Sequence, residues 1–430
     1  MWYPSNIIYI EHLEEVGSQT RGTGLMTRIM KWLLFAFLVS ASFSGEAIAQ
    51  GSTINAPSCS QSDVQLAINS ALSGDTILVP GGSCTWSSVL SIPSTAVITL
   101  NGQGITTING ALDVTSGAST SNVTSITGFT WTSTGYCGTT NAITSHSTVS
   151  TGWVRIYGNT FSENTNGTFI CTEGDGTHAL IDHDTFNLGS SSGGAEVIHV
   201  LGDSNTGWKT DVTPGGPDMV FIETDTFTYN CSVGCNFGGT SAVQSYWGAR
   251  TVFRHNQVTD MQVDEHGTCG MNWARWWELY DNNFIVNPAI NQSNYFAIRG
   301  GSGVIYGNTI TNSGNNSGGG YLQLTDDCSS TYPDPDQIGR GINQISSPAY
   351  LWSIDPHITI SSTSADVQLN RDYFVSPSQP TMLTRCESAA DASAGCPVSY
   401  TYGPYVYPHP LTNNSVNLPS PPTNVTAVIE

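Results

Sequence analysis

The chain has 430 residues, of which only 10% are charged, whereas an ordinary globular domain has about a quarter. So little charge excludes a coiled coil, a helical bundle or a charged disordered tail. The formal net charge of −21 also excludes nucleic acid as a partner, because no basic surface is available to neutralise phosphates. Ser, Thr, Asn and Gly replace the missing Lys and Glu, and this composition is typical of strands and turns.

The segment from Met26 to Ala49 has the features of a secretory signal peptide. Arg28 and Lys31 precede a short apolar run over residues 33–43, and small residues before Gln50 fit a cleavage site after Ala49. The apolar run is too short to span a bilayer. We therefore expect a secreted, extracellular protein without membrane insertion once the signal is removed.

Export implies an oxidising compartment, so we expect the ten cysteines to form disulfides. No Cys-x-x-Cys pair is present, which argues against a zinc site. Other pairings remain open, but proximity in sequence suggests Cys59–Cys84, Cys137–Cys171, Cys231–Cys235, Cys269–Cys328 and Cys386–Cys396.

The first predicted element of the mature chain is an amphipathic helix from Ser60 to Leu72. Val64, Ala67 and Ile68 recur on one face of this helix, and Gly74 ends it before the first predicted strand. A helix in this position protects the open first coil of a stacked structure from edge-to-edge pairing.

An internal repeat then predicts the architecture. The pattern is apolar–x–apolar–x–x–Asn/Asp–x–apolar, and its Asn/Asp positions are separated by 25, 41, 31, 26 and 26 residues. A period in the twenties with strand composition predicts a β-solenoid, in which the repeated amide sits at a bend and bonds its copies in neighbouring coils. A leucine-rich repeat is disfavoured because Leu is scarce, and a propeller because its period is near forty. The repeated positions are Asn159, Asp184, Asp225, Asn256, Asn282 and Asn308.

Residues 62–86 (SDVQLAINSALSGDTILVPGGSCTW) and the repeats resemble the right-handed parallel β-helix proteins of the pectate-lyase-like superfamily, over roughly residues 58–375. The resemblance implies an all-β, right-handed parallel β-helix with a short N-terminal capping helix, and a secreted enzyme acting on polysaccharides. It fixes no reaction, since only fragments of the pectin-hydrolase motifs occur, at Thr224-Asp225-Thr226 and His266-Gly267.

The chain is expected to divide into three parts. Residues 1–49 are an upstream extension and signal peptide, residues 50–410 form the β-helix domain, and residues 411–430 are a linker or the start of a truncated module. Within the domain, residues 376–410 are rich in Pro and Tyr and are expected to close the last coil.

Two columns of side chains follow from the repeat. Asp182, Glu223 and Arg254 precede successive repeated positions by two residues, so they form a charged column that is either a solvated face or part of a site. Glu223 is a catalytic candidate there and Arg254 a substrate-binding one.

The second column lies nine residues before the repeated positions and contains Trp247, Trp273 and Arg299. Exposed aromatic rings along a groove are platforms for sugar rings, and Arg299 can hold a carboxylate through two hydrogen bonds. The alternative is that both tryptophans point into the core.

The most polar cluster contains Asp264, Glu265 and His266, and Arg275 and Glu278 follow it. A histidine beside carboxylates can act as a general acid or base near neutral pH. The alternative is a solvated loop.

Carboxylates are also the preferred ligands of Ca²⁺. Asp264, Asp326 and Asp327 are therefore candidate metal ligands, and Ca²⁺ is the one cofactor considered, with no organic cofactor expected. Lys209 lies on a long insertion that can overhang a groove, and it is a candidate for substrate binding.

Three functions remain open for a monomer that binds a polysaccharide. A lyase would use His266 or Arg275 as the base and Arg299 to stabilise the substrate carboxylate. A glycoside hydrolase on a neutral polysaccharide would use two of Glu223, Glu265 and Glu278. The third is a non-catalytic sugar-binding or adhesive surface protein.

Overall fold

The computed structural model describes most of the chain after residue 50. The expected signal peptide, Asp327, and the cysteines at 231, 235, 269 and 328 lie outside the described residues. The described ranges are 51–137, 141–163, 167–175, 177–189, 194–203, 208–230, 240–266, 273–286, 294–311, 320–326, 332–362 and 366–414.

Short strands make up most of this structure. Two α-helices are described, α1 (Gln61–Ser70) and α2 (Ala389–Ala394), with 3-10 turns at Ile342–Gln344 and Pro410–Asn414. The strands in chain order are β1 (Thr53–Asn55), β2 (Thr76–Leu78), β3 (Gly82–Thr85), β4 (Leu90–Ile92), β5 (Thr99–Asn109), β6 (Leu112–Thr115), β7 (Val123–Trp131), β8 (Ile143–His146), β9 (Trp153–Tyr157), β10 (Thr160–Glu163), β11 (Ile170–Glu173), β12 (Ala179–Asp182), β13 (Thr185–Leu188), β14 (Glu196–Leu201), β15 (Val220–Glu223), β16 (Thr226–Tyr229), β17 (Ser241–Tyr246), β18 (Arg250–Arg254), β19 (Gln257–Thr259), β20 (Gln262–Glu265), β21 (Trp276–Tyr280), β22 (Asn283–Ile285), β23 (Asn294–Ile298), β24 (Ser302–Tyr306), β25 (Thr309–Thr311), β26 (Tyr321–Leu324), β27 (Ala349–Trp352), β28 (Thr359–Ser362), β29 (Tyr373–Ser376), β30 (Leu383–Arg385) and β31 (Val398–Tyr400).

These strands stack as the coils of a parallel β-helix. One coil runs through β17, β18 and β19 before β20 begins the next, and each strand pairs in parallel with its counterpart one coil away. Sheet B contains β4, β6, β8, β11, β14, β17, β20, β23, β26 and β28 in stacking order. The larger sheet A contains most of the remaining strands, β18 and β19 among them. The predicted right-handed parallel β-helix is confirmed.

The repeated Asn and Asp residues form the expected ladder. The side-chain oxygen of each accepts the backbone N–H of its counterpart one coil earlier, at 2.9 Å from Asp225 to Asn256 and 3.0 Å from Asn256 to Asn282. Buried rings stack beside it, with centroids 4.8 Å apart for Phe161 and Phe186. The ladder satisfies backbone groups that a bend would otherwise bury without partners.

The N-terminal end is capped as the sequence indicates. The Ser60 hydroxyl accepts the Asp63 backbone N–H, and α1 buries Val64, Ala67 and Ile68 against the first coils. The pairs Cys59–Cys84, Cys137–Cys171 and Cys386–Cys396 are formed as expected. Among the described residues, no helix is both long and apolar enough to cross a membrane.

Residues 376–414, here called the closing segment, also contact earlier coils of the β-helix. They run back along the outer face of sheet A, where Arg254 donates to the carbonyls of Tyr405 (2.7 Å) and Val406 (2.9 Å). Further along, the His409 backbone N–H donates to Glu223 at 2.8 Å, and Arg155 donates to the Leu411 carbonyl at 2.9 Å.

The charged column is therefore in register but is not solvated. Asp182 pairs with Glu223, and Glu223 with Arg254, on successive strands. All three residues are fully buried, because the closing segment covers them. The expectation of a solvated column is wrong at this face of the molecule.

The ladder can be tested with Asn256→Ala. The substitution leaves the Asp225 N–H and the Ile222 carbonyl without the bonds that Asn256 makes at 2.9 Å to each. Buried polar groups left without hydrogen-bond partners lower the free energy of unfolding by about 2–3 kcal/mol. Denaturant titration measures this loss. The exposed neighbour Gln257 supplies the control, Gln257→Ala, and equal effects of the two variants would contradict the ladder's role.

Candidate functional site on the outer face of sheet B

The outer face of sheet B carries a continuous row of polar side chains. On β17 and β20, Val243 and Val263 belong to the core, so the alternating Gln244 and Asp264 point outward. The same alternation places Tyr246 and His266 outward at the strand ends. We call His199, Gln244, Tyr246, Asp264, His266 and Arg299 the groove cluster.

Hydrogen bonds link this cluster from coil to coil. His199 and Gln244 are in register and lie 2.9 Å apart, from Nε2 to Oε1. Gln244 in turn donates to Asp264 Oδ2 at 3.2 Å, and Arg299 donates to the same oxygen at 3.3 Å. Asp264 thereby orients both Gln244 and Arg299.

His266 lies at the centre of the cluster. Arg299 Nη1 is 3.0 Å from Nε2 and 3.1 Å from Nδ1 of its ring, and the Tyr246 ring centroid is 4.6 Å away. Burial, together with the charge of Arg299 and the proximity of His199, lowers the pKa of His266 to about 3. The imidazole is therefore neutral at neutral pH.

Tyr246 and Arg299 complement the neutral imidazole of His266. Burial raises the pKa of the Tyr246 phenol, and nearby carboxylates raise it further, so the hydroxyl keeps its proton. The Arg299 side chain is 24% exposed, so its guanidinium is accessible to an anion. A base, a proton donor and a cation thus occupy one face.

A groove of about 630 Å³ lies along the ends of earlier strands of sheet B. Half-buried Trp247, which follows Tyr246, lines it together with His146 and Glu173. His146 lies 2.7 Å from Asp113 and 3.3 Å from Glu173, and hydrogen bonds to these carboxylates raise its pKa to about 10. The groove therefore holds an imidazolium at neutral pH.

Several residues predicted from the sequence meet here. Asp264, His266 and Arg299 belong to the cluster, and Trp247 lines the adjoining groove. Trp247, Trp273 and Arg299 also occupy equivalent positions. They lie three residues before β18, β21 and β24 respectively, and these strands pair in register. The Trp273 side chain is only 2% exposed, which agrees with the alternative of a core position.

Glu265 lies between two members of the cluster but points the other way. It is fully buried on the inner face of β20, in register with Ser245. Burial raises the pKa of its carboxyl to about 8, although the nearby Ser245 hydroxyl acts to lower this pKa. The carboxyl is therefore a neutral acid inside the β-helix at neutral pH.

Four other candidates lie on sheet A, beneath or beside the closing segment. Glu223 and Arg254 pair with each other there, and Arg275 forms a buried ion pair with Glu387. The fourth, Glu278, accepts hydrogen bonds from Gly215 N, Trp276 Nε1 and Tyr402 Oη, at 2.6, 2.9 and 2.7 Å. These groups hold the closing segment and do not share one site with His266.

The remaining candidates are separate from the cluster. Lys209 is exposed on a turn beside Trp208, whose ring lies 5.1 Å from the guanidinium of Arg275. Asp326 joins Asp334 and Asp366 in a group whose ligand oxygens lie within 4.8 Å of one another. Such a group can hold a metal ion through oxygen ligands.

Sequence reasoning missed Tyr246, Gln244 and His199. The alternation in Ser241–Tyr246 signals outward polar residues on a strand, but the Asn repeat does not align this strand with β20. Gln244 and Asp264 are 20 residues apart, whereas the neighbouring ladder positions are 26 apart, because the connections between sheets vary in length.

Comparisons with known proteins find only distant structural similarity. No family model and no curated protein matches the chain. Among solved structures, an alginate lyase from Paenibacillus sp. str. FPU-7 is 14% identical, with a TM-score of 0.38 over 76% of this chain and 96% of that one. The PL6 family alginate lyase AlyGC is 13% identical, with a TM-score of 0.34 over 83% of this chain and 56% of its own. PfbA, a surface adhesin of Streptococcus pneumoniae, is 10% identical, with a TM-score of 0.30 over 80% and 96%.

The buried acid Glu265 makes stability depend on pH. The folded chain keeps this proton up to about pH 8, whereas the unfolded carboxyl loses it near 4.5. The free energy of unfolding should therefore fall between pH 4.5 and 8, by up to ~1.4 kcal/mol per pH unit. Glu265→Gln has no such proton, so its stability relative to the wild type should rise over that range.

Thermal and denaturant unfolding at pH 5 and pH 8.5 measure this difference. Gln257→Glu is the control, since it places a carboxyl at an exposed position. A stability difference between Glu265→Gln and wild type that stays constant with pH would show that Glu265 is ionised in the folded chain.

Proposed function

We propose that the protein is a secreted polysaccharide lyase that cleaves a uronic-acid polysaccharide by β-elimination in the groove of sheet B. The observation that carries the proposal is the grouping of a neutral imidazole, a protonated phenol and a partly exposed guanidinium at His266, Tyr246 and Arg299. β-Elimination requires a base, an acid and a cation in this kind of arrangement.

Each group has a defined task in this reaction. Arg299 binds the uronate carboxylate and stabilises the enolate that forms when C5 loses its proton. His266 accepts that proton, the C5 electrons form the C4–C5 double bond, and the bond from C4 to the glycosidic oxygen breaks. Tyr246 donates its phenolic proton to the departing oxygen, and the proton on His266 subsequently restores the phenol.

Substrate binding would also adjust the base. Burial and the positive charge of Arg299, which also pairs with Asp264, lower the basicity of His266. A carboxylate bound to Arg299 offsets that charge and raises the pKa of the imidazole toward the working pH. The base is therefore strengthened when the anionic sugar is in place.

The hydrolase alternative has weaker support. It requires two carboxylates that face the sugar, yet Glu223 and Glu278 are buried at the closing segment and Glu265 points into the core. The three disulfides among the described residues support export to an oxidising compartment.

A bound cation would help an acidic protein approach a polyanion. The chain carries a formal net charge of −21, which repels a polyuronate unless positive charge intervenes. Asp326, Asp334 and Asp366 offer hard oxygen ligands of the type that Ca²⁺ prefers. We propose Ca²⁺ at this group, which follows β26 on sheet B, with a role in attracting substrate.

The reaction can be tested by release of unsaturated products, which absorb in the ultraviolet, across a panel of uronic-acid polysaccharides. His266→Ala and Tyr246→Phe should each lower kcat by about 10² or more, because each removes a proton-transfer group. Gln257→Ala is the control, since Gln257 is exposed on β19 of sheet A, away from the cluster.

An absorbance rise that survives both cluster substitutions would overturn the assignment of the residues. Glycan binding without any cleavage, unaltered by either variant, would identify the adhesive alternative instead. Reducing ends without ultraviolet product would identify a hydrolase.

The cation site can be tested separately by calorimetric titration of the protein with Ca²⁺. Asp334→Asn removes one charged ligand from the acidic group, so Ca²⁺ affinity should fall at least tenfold. Equal affinity in Asp334→Asn and the wild type would show that any bound Ca²⁺ lies elsewhere. Asp211→Asn, at the distant contact with α2, controls for the loss of one negative charge.

A further inference from the structure

One column of outward side chains on sheet B joins the 630 Å³ groove to the groove cluster. Glu173 in the groove pairs in register with His146 on one neighbouring strand and with Leu201 on the other. Leu201 pairs in turn with Tyr246 of the cluster. Neighbouring strands are ~4.8 Å apart, so Glu173 lies about 10 Å along the stack from Tyr246. A polysaccharide that spans both positions places different sugar units at them.

An unusual turn places Trp247 in the lining of this groove. The Ala249 backbone N–H donates to the Tyr246 carbonyl at 3.0 Å, and the two residues between them have positive φ angles, 55° at Trp247 and 79° at Gly248. Asn, Asp and Gly are the usual residues at the first of these positions, because a bulky side chain is strained in the left-handed region. The turn itself therefore does not favour tryptophan.

The neighbouring coil holds this turn closely. A Cβ atom on Gly202 would lie 2.3 Å from the Trp247 carbonyl oxygen, so this approach requires glycine. The Gly202 N–H also donates to the Tyr246 carbonyl at 3.1 Å. The Trp247 side chain stays half-buried in the lining of the groove, whereas Trp273, at the equivalent position one coil later, is buried. Part of a firmly held indole is thus available to a ligand in the groove.

The charges in the groove are unfavourable for a carboxylate ligand. Of the described residues that line it, His146 alone carries a positive charge, whereas Glu173 and Asp203 are acidic. Both ring nitrogens of His146 already face carboxylates, at 2.7 Å from Asp113 and 3.3 Å from Glu173. A uronate in this groove would therefore meet an excess of negative charge.

Uncharged hydroxyl groups, in contrast, suit this surface. The Glu173 side chain is 33% exposed, so its carboxylate can accept hydrogen bonds from a ligand as well as from His146. Elsewhere in the lining, the Ser116 hydroxyl and the Thr148 backbone N–H both donate to the Thr151 hydroxyl, at 2.9 and 2.8 Å. An aromatic face with a few fixed polar groups is the usual composition of a sugar subsite.

We propose that this groove is a subsite for an uncharged sugar unit, which packs on Trp247 and donates hydrogen bonds to Glu173. The proposal rests on the function proposed for the groove cluster, and it narrows the substrate to a mixed polysaccharide. Arg299 binds the uronic acid unit that is cleaved, and the groove binds an uncharged unit of the same chain. A polymer made of uronic acid alone is then the poorer substrate.

Affinity electrophoresis measures the subsite without cleavage, in gels that contain uncharged polysaccharides (glucan, mannan, galactan, xylan) or mixed ones (gellan, glucuronoxylan). Trp247→Ala should weaken the retardation about fivefold to tenfold, while Trp247→Phe should retain most of it, because an aromatic face makes the contact. Trp247→Asn removes the ring but suits the left-handed backbone, so it should match Trp247→Ala even where alanine strains the turn. Thermal unfolding of each variant measures such strain.

Kinetics test the charge argument. Glu173→Gln removes one negative charge from the groove, so the ratio of KM for a polyuronate, alginate or polygalacturonate, to KM for a mixed polysaccharide should fall about threefold. Glu163→Gln is the matched control, since it makes the same change on β10 of sheet A.

Equal retardation of the wild type and all three Trp247 variants in every gel would overturn the subsite, whereas the ultraviolet assay with His266→Ala judges the lyase separately. A KM ratio that Glu173→Gln leaves unchanged, or faster cleavage of polyuronates than of mixed chains, would overturn the mixed substrate. Weaker binding by Trp247→Ala and Trp247→Asn in a protein that cleaves nothing would support the subsite and reject the lyase.

Discussion

The amide ladder from Asn159 to Asn308 is the interaction on which the rest of the molecule depends. Each side-chain oxygen accepts a backbone N–H from the preceding coil, so a one-residue slip of any coil would leave buried groups without partners. The ladder therefore fixes the register. Fixed register turns residues two or three dozen positions apart into neighbours about 4.8 Å apart.

The same register serves two different purposes on the two sheets. On sheet A it stacks Asp182, Glu223 and Arg254, and these charges are tolerable inside the protein because each is paired. Main-chain groups of the closing segment complete the bonding of Glu223 and Arg254. On sheet B the outward-facing polar side chains stay partly exposed, and the groove lies on that sheet.

Burial then gives each group in the groove its protonation state. The imidazole of His266, which follows β20, is neutral, whereas His146, on β8 four strands earlier in sheet B, is an imidazolium. The difference arises because burial and then the cation Arg299 disfavour the charged form of His266, whereas hydrogen bonds to the carboxylates of Asp113 and Glu173 favour that of His146. Two histidines on one face can therefore perform different tasks at one pH.

The sequence by itself determined the β-helix, its capping helix, the ladder and three disulfides, because each rests on a local pattern or a fixed spacing. It also predicted roles for His266, Arg299 and Trp247, because their chemistry is visible in the residue type. Only the tertiary structure decided that Arg275 and Glu278 are buried by the closing segment and that Tyr246 joins His266. Those outcomes depend on how the variable connections align sheet B and on where a distant segment packs, and no spacing in the sequence encodes either.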